Sequence, residues 1–155
     1  IEGRVNDISL NSLLLDTDYL VLVVPKNHRL TKKSMVTIDD IKKERMILRL
    51  PNSGTRGLFI AHLESINMSL ADFNVILEVD NVATIKDLIR RNFGVSILAR
   101  SACLDDLSKG RISVLPIENL SMVRETSILY HRDFNHTDVL QDITKLYNET
   151  AKLYK

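Results

Sequence analysis

The chain has 155 residues, 45% of them apolar and 26% charged, with 21 lysines and arginines against 20 acids and a formal net charge of +1. That length suits one domain or two small lobes, and it allows roughly 70% of the surface exposed by the unfolded chain to be buried in a real core. The near-neutral charge contains no block of one sign, so no clustered basic face for phosphate neutralisation is visible, and no apolar run approaches the ~20 residues of a membrane helix.

The first four residues, IEGR, read either as a protease-cleavage linker or as native sequence continuing an interrupted strand. No charged, apolar, small-residue leader opens the chain. The opening segment is expected to add a helix and a strand before Leu20. Leu20 to Val24, LVLVV, is a continuous apolar run ended by Pro25, which suits a strand buried on both faces. After a KNH turn, Thr37 with Asp40 three residues later predicts a capping box for a short helix carrying Ile38 and Ile41.

Met46 to Leu50 reads as the next strand, and Pro51, Asn52, Ser53 and Gly54 break it. Leu58, Phe59, His62, Leu63 and Ile66 then mark one face of a helix. Phe73 to Val79 is a further strand. Asn81 caps a helix in which Val82, Ile85, Leu88 and Ile89 recur at helical spacing, and Gly94 opens the apolar run through Val95, Ile97 and Leu98. Ser101 to Leu107 predicts one short helix ended by Gly110, Ile112 to Ile117 a strand broken by Pro116, and Ser127 to Tyr130 a short strand. From Thr137 onward an amphipathic stripe of Val139, Leu140, Ile143, Leu146, Tyr147, Ala151 and Tyr154 needs a surface to cover. Strand and helix alternate through the middle of the chain, which predicts an α/β fold with a parallel or mixed sheet.

Two places could carry binding chemistry. Ser53, Gly54, Thr55 and Arg56 lie between a strand and a helix, where backbone N–H groups, two hydroxyls and a guanidinium can converge on an anion; the alternative is an ordinary cap with Arg56 in solvent. Asn81 and Thr84 open the second helix, and Asn81 is read first as a cap and second as a ligand contact.

Catalytic and metal chemistry find little support. His28, His62, His131 and His136 lack metal-ligand spacing, no G-x-S-x-G, S-x-x-K or P-loop occurs, and the adjacent pairs Asp39-Asp40 and Asp105-Asp106 diverge in direction. The pairs Lys32-Lys33, Lys42-Lys43 and Arg90-Arg91 read as solvated faces. Few aromatics and no tryptophan argue against an aromatic ligand platform. A single cysteine, Cys103, suits a reducing cytoplasm and reads as a small helix residue rather than a redox switch.

Four segments in order, LVLVVPKNHRL, MILRLPNSGTR, EVDNVATIKDLIRRNFGVSILAR and RISVLPI leading to VRETSILYHR, resemble the effector-binding region of LysR-type transcriptional regulators over nearly the whole chain. The resemblance implies a type II periplasmic-binding-protein-like α/β fold of mixed-sheet lobes, the second complete and the first partial. Residues 1–17 would end lobe one, 18–122 would form lobe two, and 123–155 would return to lobe one, with the crossing near Val123 to Thr126. IEGR then looks native. A small effector, with an anion or carboxylate favoured, would sit in the interlobe cleft against Ser53, Gly54, Thr55, Arg56, Asn81 and Thr84, with Ile1 and Glu2 at the end of lobe one. DNA would be read only by a helix-turn-helix domain preceding Ile1, with no cofactor, metal or membrane, and the full-length regulator would be a cytoplasmic homo-oligomer. A solute-binding protein of the same fold is the alternative, to be distinguished by a secretion leader; an enzyme on such a scaffold is a third reading, disfavoured by the missing catalytic groups.

Overall fold

Strand β1, Leu10–Pro25, runs through both of the compact units into which the chain divides, Ile1–Asp18 with Val123–Lys155 and Tyr19–Met122. The computed structural model describes residues 8–118 and 122–152. In the larger unit, β1 lies between β4, Ser96–Ala99, and β5, Ile112–Leu115, antiparallel to both. Leu20 faces Ala99 and Val23 faces Ser96; Leu22 faces Leu115 and Pro25 faces Ile112.

Strand β2, Arg45–Leu48, pairs in parallel with β3, Asn74–Glu78. Val95, immediately before β4, joins β2 through a parallel bridge: Ile47 N–H donates to Val95 O at 2.8 Å and Val95 N–H to Arg45 O at 2.8 Å. Hydrogen bonding therefore runs across the unit in the order β3, β2, β4, β1, β5.

The LVLVV run is buried on both faces because its alternate residues enter different cores. Leu20, Leu22 and Val24 pack with Ile41, Met46, Phe59 and Leu63. Val21 and Val23 pack with Ile47, Ile85, Ile89, Leu98, Cys103 and Ile112. The first core is covered by α1, Ile38–Lys42, and α2, Gly54–Ser65; the second by α3, Val82–Arg90, and by Cys103, which immediately precedes α4, Leu104–Ser108. Each fully buried Leu, Ile or Phe contributes about 1.5–3 kcal/mol. Phe59 and Phe73 meet edge to face at 5.6 Å between ring centroids.

The predicted capping box at α1 is present: Thr37 Oγ1 accepts from Asp40 N–H at 3.1 Å, and Asp40 Oδ2 accepts from Thr37 N–H at 2.9 Å. Gly94 has a steric reason. A Cβ there would lie 2.6 Å from Arg45 O, a backbone atom that cannot retreat without disturbing the β2 bridge. Gly110, at φ +66°, takes the left-handed conformation that ends α4.

In the smaller unit β1 pairs with β6, Val123–His131, and α5 spans Thr137–Lys152. Leu140 is buried, and Tyr147 Oη donates to Asp16 Oδ2 at 3.3 Å. Val139, Ile143 and Leu146 of the predicted stripe are exposed.

Several expectations need correction. Residues 10–18 contain no helix; they are the first half of β1, whose backbone groups find partners on β6. The predicted Ser101–Leu107 helix is two pieces, a 3-10 turn over Arg100–Cys103 followed by α4. Ile66 caps α2 beyond its last turn and is exposed. The Ser127–Tyr130 strand is longer than its apolar pattern suggests, because pairing continues through polar residues.

Gly94→Ala should destabilise the protein by about 1–3 kcal/mol through this backbone overlap, read as a lower denaturation midpoint with unchanged slope; wild-type stability would contradict the close approach. Asp40 has its pKa lowered from 3.8 to about 2, first by the hydrogen bond from Lys33 and next by that from the Thr37 backbone. A carboxyl whose folded value is depressed stabilises the fold above its unfolded value and loses that contribution as pH falls through the folded one. Asp40→Asn should therefore flatten stability against pH between about 4 and about 2, measured by denaturant titration at each pH.

Candidate functional site

Parallel pairing of β2 and β3 places their carboxyl ends at one edge, and each strand is followed by a helix that begins there. In open α/β sheets this edge, facing helix N-termini, is where ligands bind. The first-turn N–H groups of α2 and α3 have no intrahelical acceptors.

At α2, Ser53 is the N-cap, its Oγ accepting from Arg56 N–H at a long 3.4 Å. Gly54 opens the helix beside free space: a Cβ there would meet nothing within 4 Å. Thr55 is buried under the helix. Arg56 is not in solvent. Its side chain is only 11% exposed, Nη1 donates to Arg49 O at 2.9 Å and lies 3.2 Å from Glu78 Oε1. Its Nε is buried and has no hydrogen-bond partner among the described residues, a state that ordinarily costs about 1–3 kcal/mol.

At α3, Asn81 Oδ1 accepts from Ala83 N–H at 2.8 Å and from Thr84 N–H at 3.2 Å. The oxygen of Asn81 is thus committed to the helix, while its amide group retains two donors. Thr84 is exposed on the first turn. The two loops are laced together by Arg49, whose Nε donates to Asp80 O at 3.0 Å, and by Val79 N–H donating to Leu48 O at 2.8 Å. The structure therefore brings the Ser53–Arg56 loop and the Asn81 helix start to one edge. Ile1 and Glu2 lie outside the described residues.

Arg49, Glu78 and Asp80 belong to this edge and escape a motif search. The available signal is positional: each is a polar residue at the end of an apolar strand, where a side chain leaves the core. With two guanidiniums and two carboxylates the edge is balanced in charge, suited to a polar ligand held by directed hydrogen bonds rather than by bulk potential.

Among the described residues no group of three or more His, Cys, Asp or Glu is arranged to hold a metal ion, and no helix is long and apolar enough to cross a membrane. His62 is buried on the inner face of α2, and His28 caps the Arg29–Lys32 turn while pairing with Glu44 at 3.2 Å. Cys103 is buried, its Sγ 3.6 Å from Ala99 O, a packing position.

The sequence matches the model of the LysR substrate binding domain over residues 1–152. It is 32% identical over 122 residues to an uncharacterized HTH-type transcriptional regulator of Methanocaldococcus jannaschii, covering 79% of this chain and 41% of that protein. The HTH-type transcriptional regulator CysL of Bacillus subtilis is 29% identical over 130 residues, covering 84% of this chain and 42% of the relative. The chain thus spans about two-fifths of the length of these relatives. Among solved structures, the Synechocystis PCC6803 CcmR regulatory domain in complex with 2-PG aligns with a TM-score of 0.75 at 20% identity, covering 98% of this chain and 72% of that one. The effector binding domain of QuiR in complex with shikimate aligns at 0.66 and 21%, covering 96% and 66%. These likenesses show the fold, the type II periplasmic-binding-protein-like α/β arrangement.

Asn81→Ala should cost about 1 kcal/mol of stability, since two first-turn amides lose their acceptor, whereas Asn81→Asp should retain it. Equal stability of all three proteins would show that the cap is not structural.

Proposed function

The chain belongs to the LysR substrate binding domain family, and we propose that it senses a small effector for a DNA-binding transcriptional regulator, the effector meeting the β2/β3 edge at Ser53, Gly54, Thr55, Arg56, Asn81 and Thr84. The observation that carries this reading is the buried Arg56 guanidinium with an unmatched Nε beside two helix N-termini. Relatives that are HTH-type regulators support the regulatory role, and neighbours captured with 2-PG and shikimate support a small-molecule effector.

On this reading residues 18–122 are the second lobe, and 1–17 with 123–155 belong to the first, where Ile1 and Glu2 add contacts. DNA is read by a separate helix-turn-helix domain of the whole regulator, a cytoplasmic homo-oligomer that is not an enzyme. The effector acts by linkage: it moves a conformational equilibrium only by binding one arrangement more tightly, and a shift from 1:99 to 99:1 needs about 5.5 kcal/mol of difference. One charge-assisted hydrogen bond supplies about 1.5–3 kcal/mol, so several contacts act together.

An anionic or carboxylate group on the effector fits best, because an acceptor is what Arg56 Nε lacks. Such a group competes with Glu78, which is about half exposed and shares Arg56. Calorimetry on the full-length regulator, with an effector found by thermal-shift screening, should show opposite effects of two substitutions. Arg56→Ala should weaken binding about 10- to 150-fold, and Glu78→Gln should strengthen it. Unchanged affinity in Arg56→Ala would remove Arg56 from the site, and weaker binding in Glu78→Gln would remove the anion preference.

A further inference from the structure

A pocket of about 640 Å³, predominantly polar, lies in the larger unit against the far end of α3 from Asn81. It is lined by Lys26, Arg29, Arg90 and Arg111, with a single carboxylate, Glu44. At 1.5 Å per residue the nine residues of α3 place it about 13 Å along the helix from the β2/β3 edge. The four cations come from the turn after β1, the end of α3 and the start of β5, segments far apart in sequence.

We propose that this pocket is a second binding site, independent of the effector reading, and that it takes a small multivalent oxyanion bearing phosphate or several carboxylates.

The charge balance supports this. Glu44 is already engaged by Arg29 at 2.5 Å and His28 at 3.2 Å, and Arg90 pairs with Asp87 at 2.6 Å, so the excess of positive charge rests on Lys26 and Arg111. Asp106 pairs closely with Lys86, leaving Arg111 at a loose 3.7 Å from it. Among the described residues no carboxylate pairs with Lys26. Burial pushes the Asp106 pKa up, yet the Lys86 hydrogen bond and the charges of Lys86, Arg90 and Arg111 outweigh it and leave the value lowered.

A helix C-terminus ordinarily repels anions through its open carbonyls. Here three of them are occupied: Arg91 N–H donates to Asp87 O, Asn92 N–H to Ile89 O and Phe93 N–H to Leu88 O, while Arg45 covers Asn92 O just beyond the helix. The volume suits a small polyanion, and concave walls drawn from four segments suit a bound molecule better than a long nucleic-acid backbone, which needs an extended track.

The test titrates the 155-residue chain, at low ionic strength, with inorganic pyrophosphate, citrate and acetate, followed by amide NMR and calorimetry. Pyrophosphate, citrate or both should shift the Asn27, Asn92 and Arg111 amides saturably and bind at least tenfold tighter than acetate. Response to one alone assigns the chemistry to phosphate or to carboxylates. Lys26→Glu and Arg111→Gln should together weaken binding tenfold or more, and Arg56→Ala should leave it unchanged. Lys26→Glu alone, at an exposed residue with no ion pair among the described residues, keeps the test decisive if the double variant folds poorly.

Non-saturating shifts spread over all basic side chains would mean counterions only and would overturn the site. Binding that survives both substitutions would do the same, as would binding lost in Arg56→Ala, which assigns the anion to the β2/β3 edge. A DNA duplex held through Lys26 and Arg111 more tightly than pyrophosphate would replace the small anion with a nucleic acid.

Discussion

Parallel hydrogen bonding between β2 and β3 is the constraint on which the candidate site rests, because only parallel strands end at the same edge and send both following helices away from it. The pairing is held from the other side by Val95, whose two backbone hydrogen bonds to β2 require Gly94 to pass against Arg45 O without a side chain. Arg49 and Arg56 then tie the two strand ends through backbone carbonyls and Glu78. A site assembled in this way inherits its rigidity from the sheet rather than from its loops.

The two helix ends at that edge divide their work. At α3, Asn81 satisfies two first-turn amides with good geometry, so its oxygen serves stability. At α2 the cap is long, the space before Gly54 is open and Arg56 carries an unmatched donor, so the capacity for a ligand lies on this side. Caps and contacts drawn from the same residue types have different fates because hydrogen-bonding groups already engaged by the backbone are not available to a ligand.

Charge shows a parallel separation. The chain is almost neutral, and its acids and bases are well mixed along the sequence. Folding sorts them: Arg49, Arg56, Glu78 and Asp80 balance at one end of α3, while Lys26, Arg29, Arg90 and Arg111 gather at the other against Glu44. Net charge therefore bounds solubility and bulk association but says nothing of local potential.

Much of the fold was legible in the residues. The LVLVV run declared a strand buried on both faces, Thr37 with Asp40 declared a capping box, and Asn81 with Val82, Ile85, Leu88 and Ile89 declared a capped amphipathic helix, because these are short-range patterns set by backbone geometry. The order of the four family-like segments carried the family itself, as the match over residues 1–152 shows. Tertiary structure decided what depends on partners distant in sequence. Residues 10–18 are all strand because β6 completes their hydrogen bonds. Arg56 turns inward because Arg49 O and Glu78 lie beside it, and Lys26 shares a pocket with Arg111 because β1 and β5 are neighbours. Local sequence specifies which groups a residue can offer; only the long-range pairing of strands determines which groups it meets.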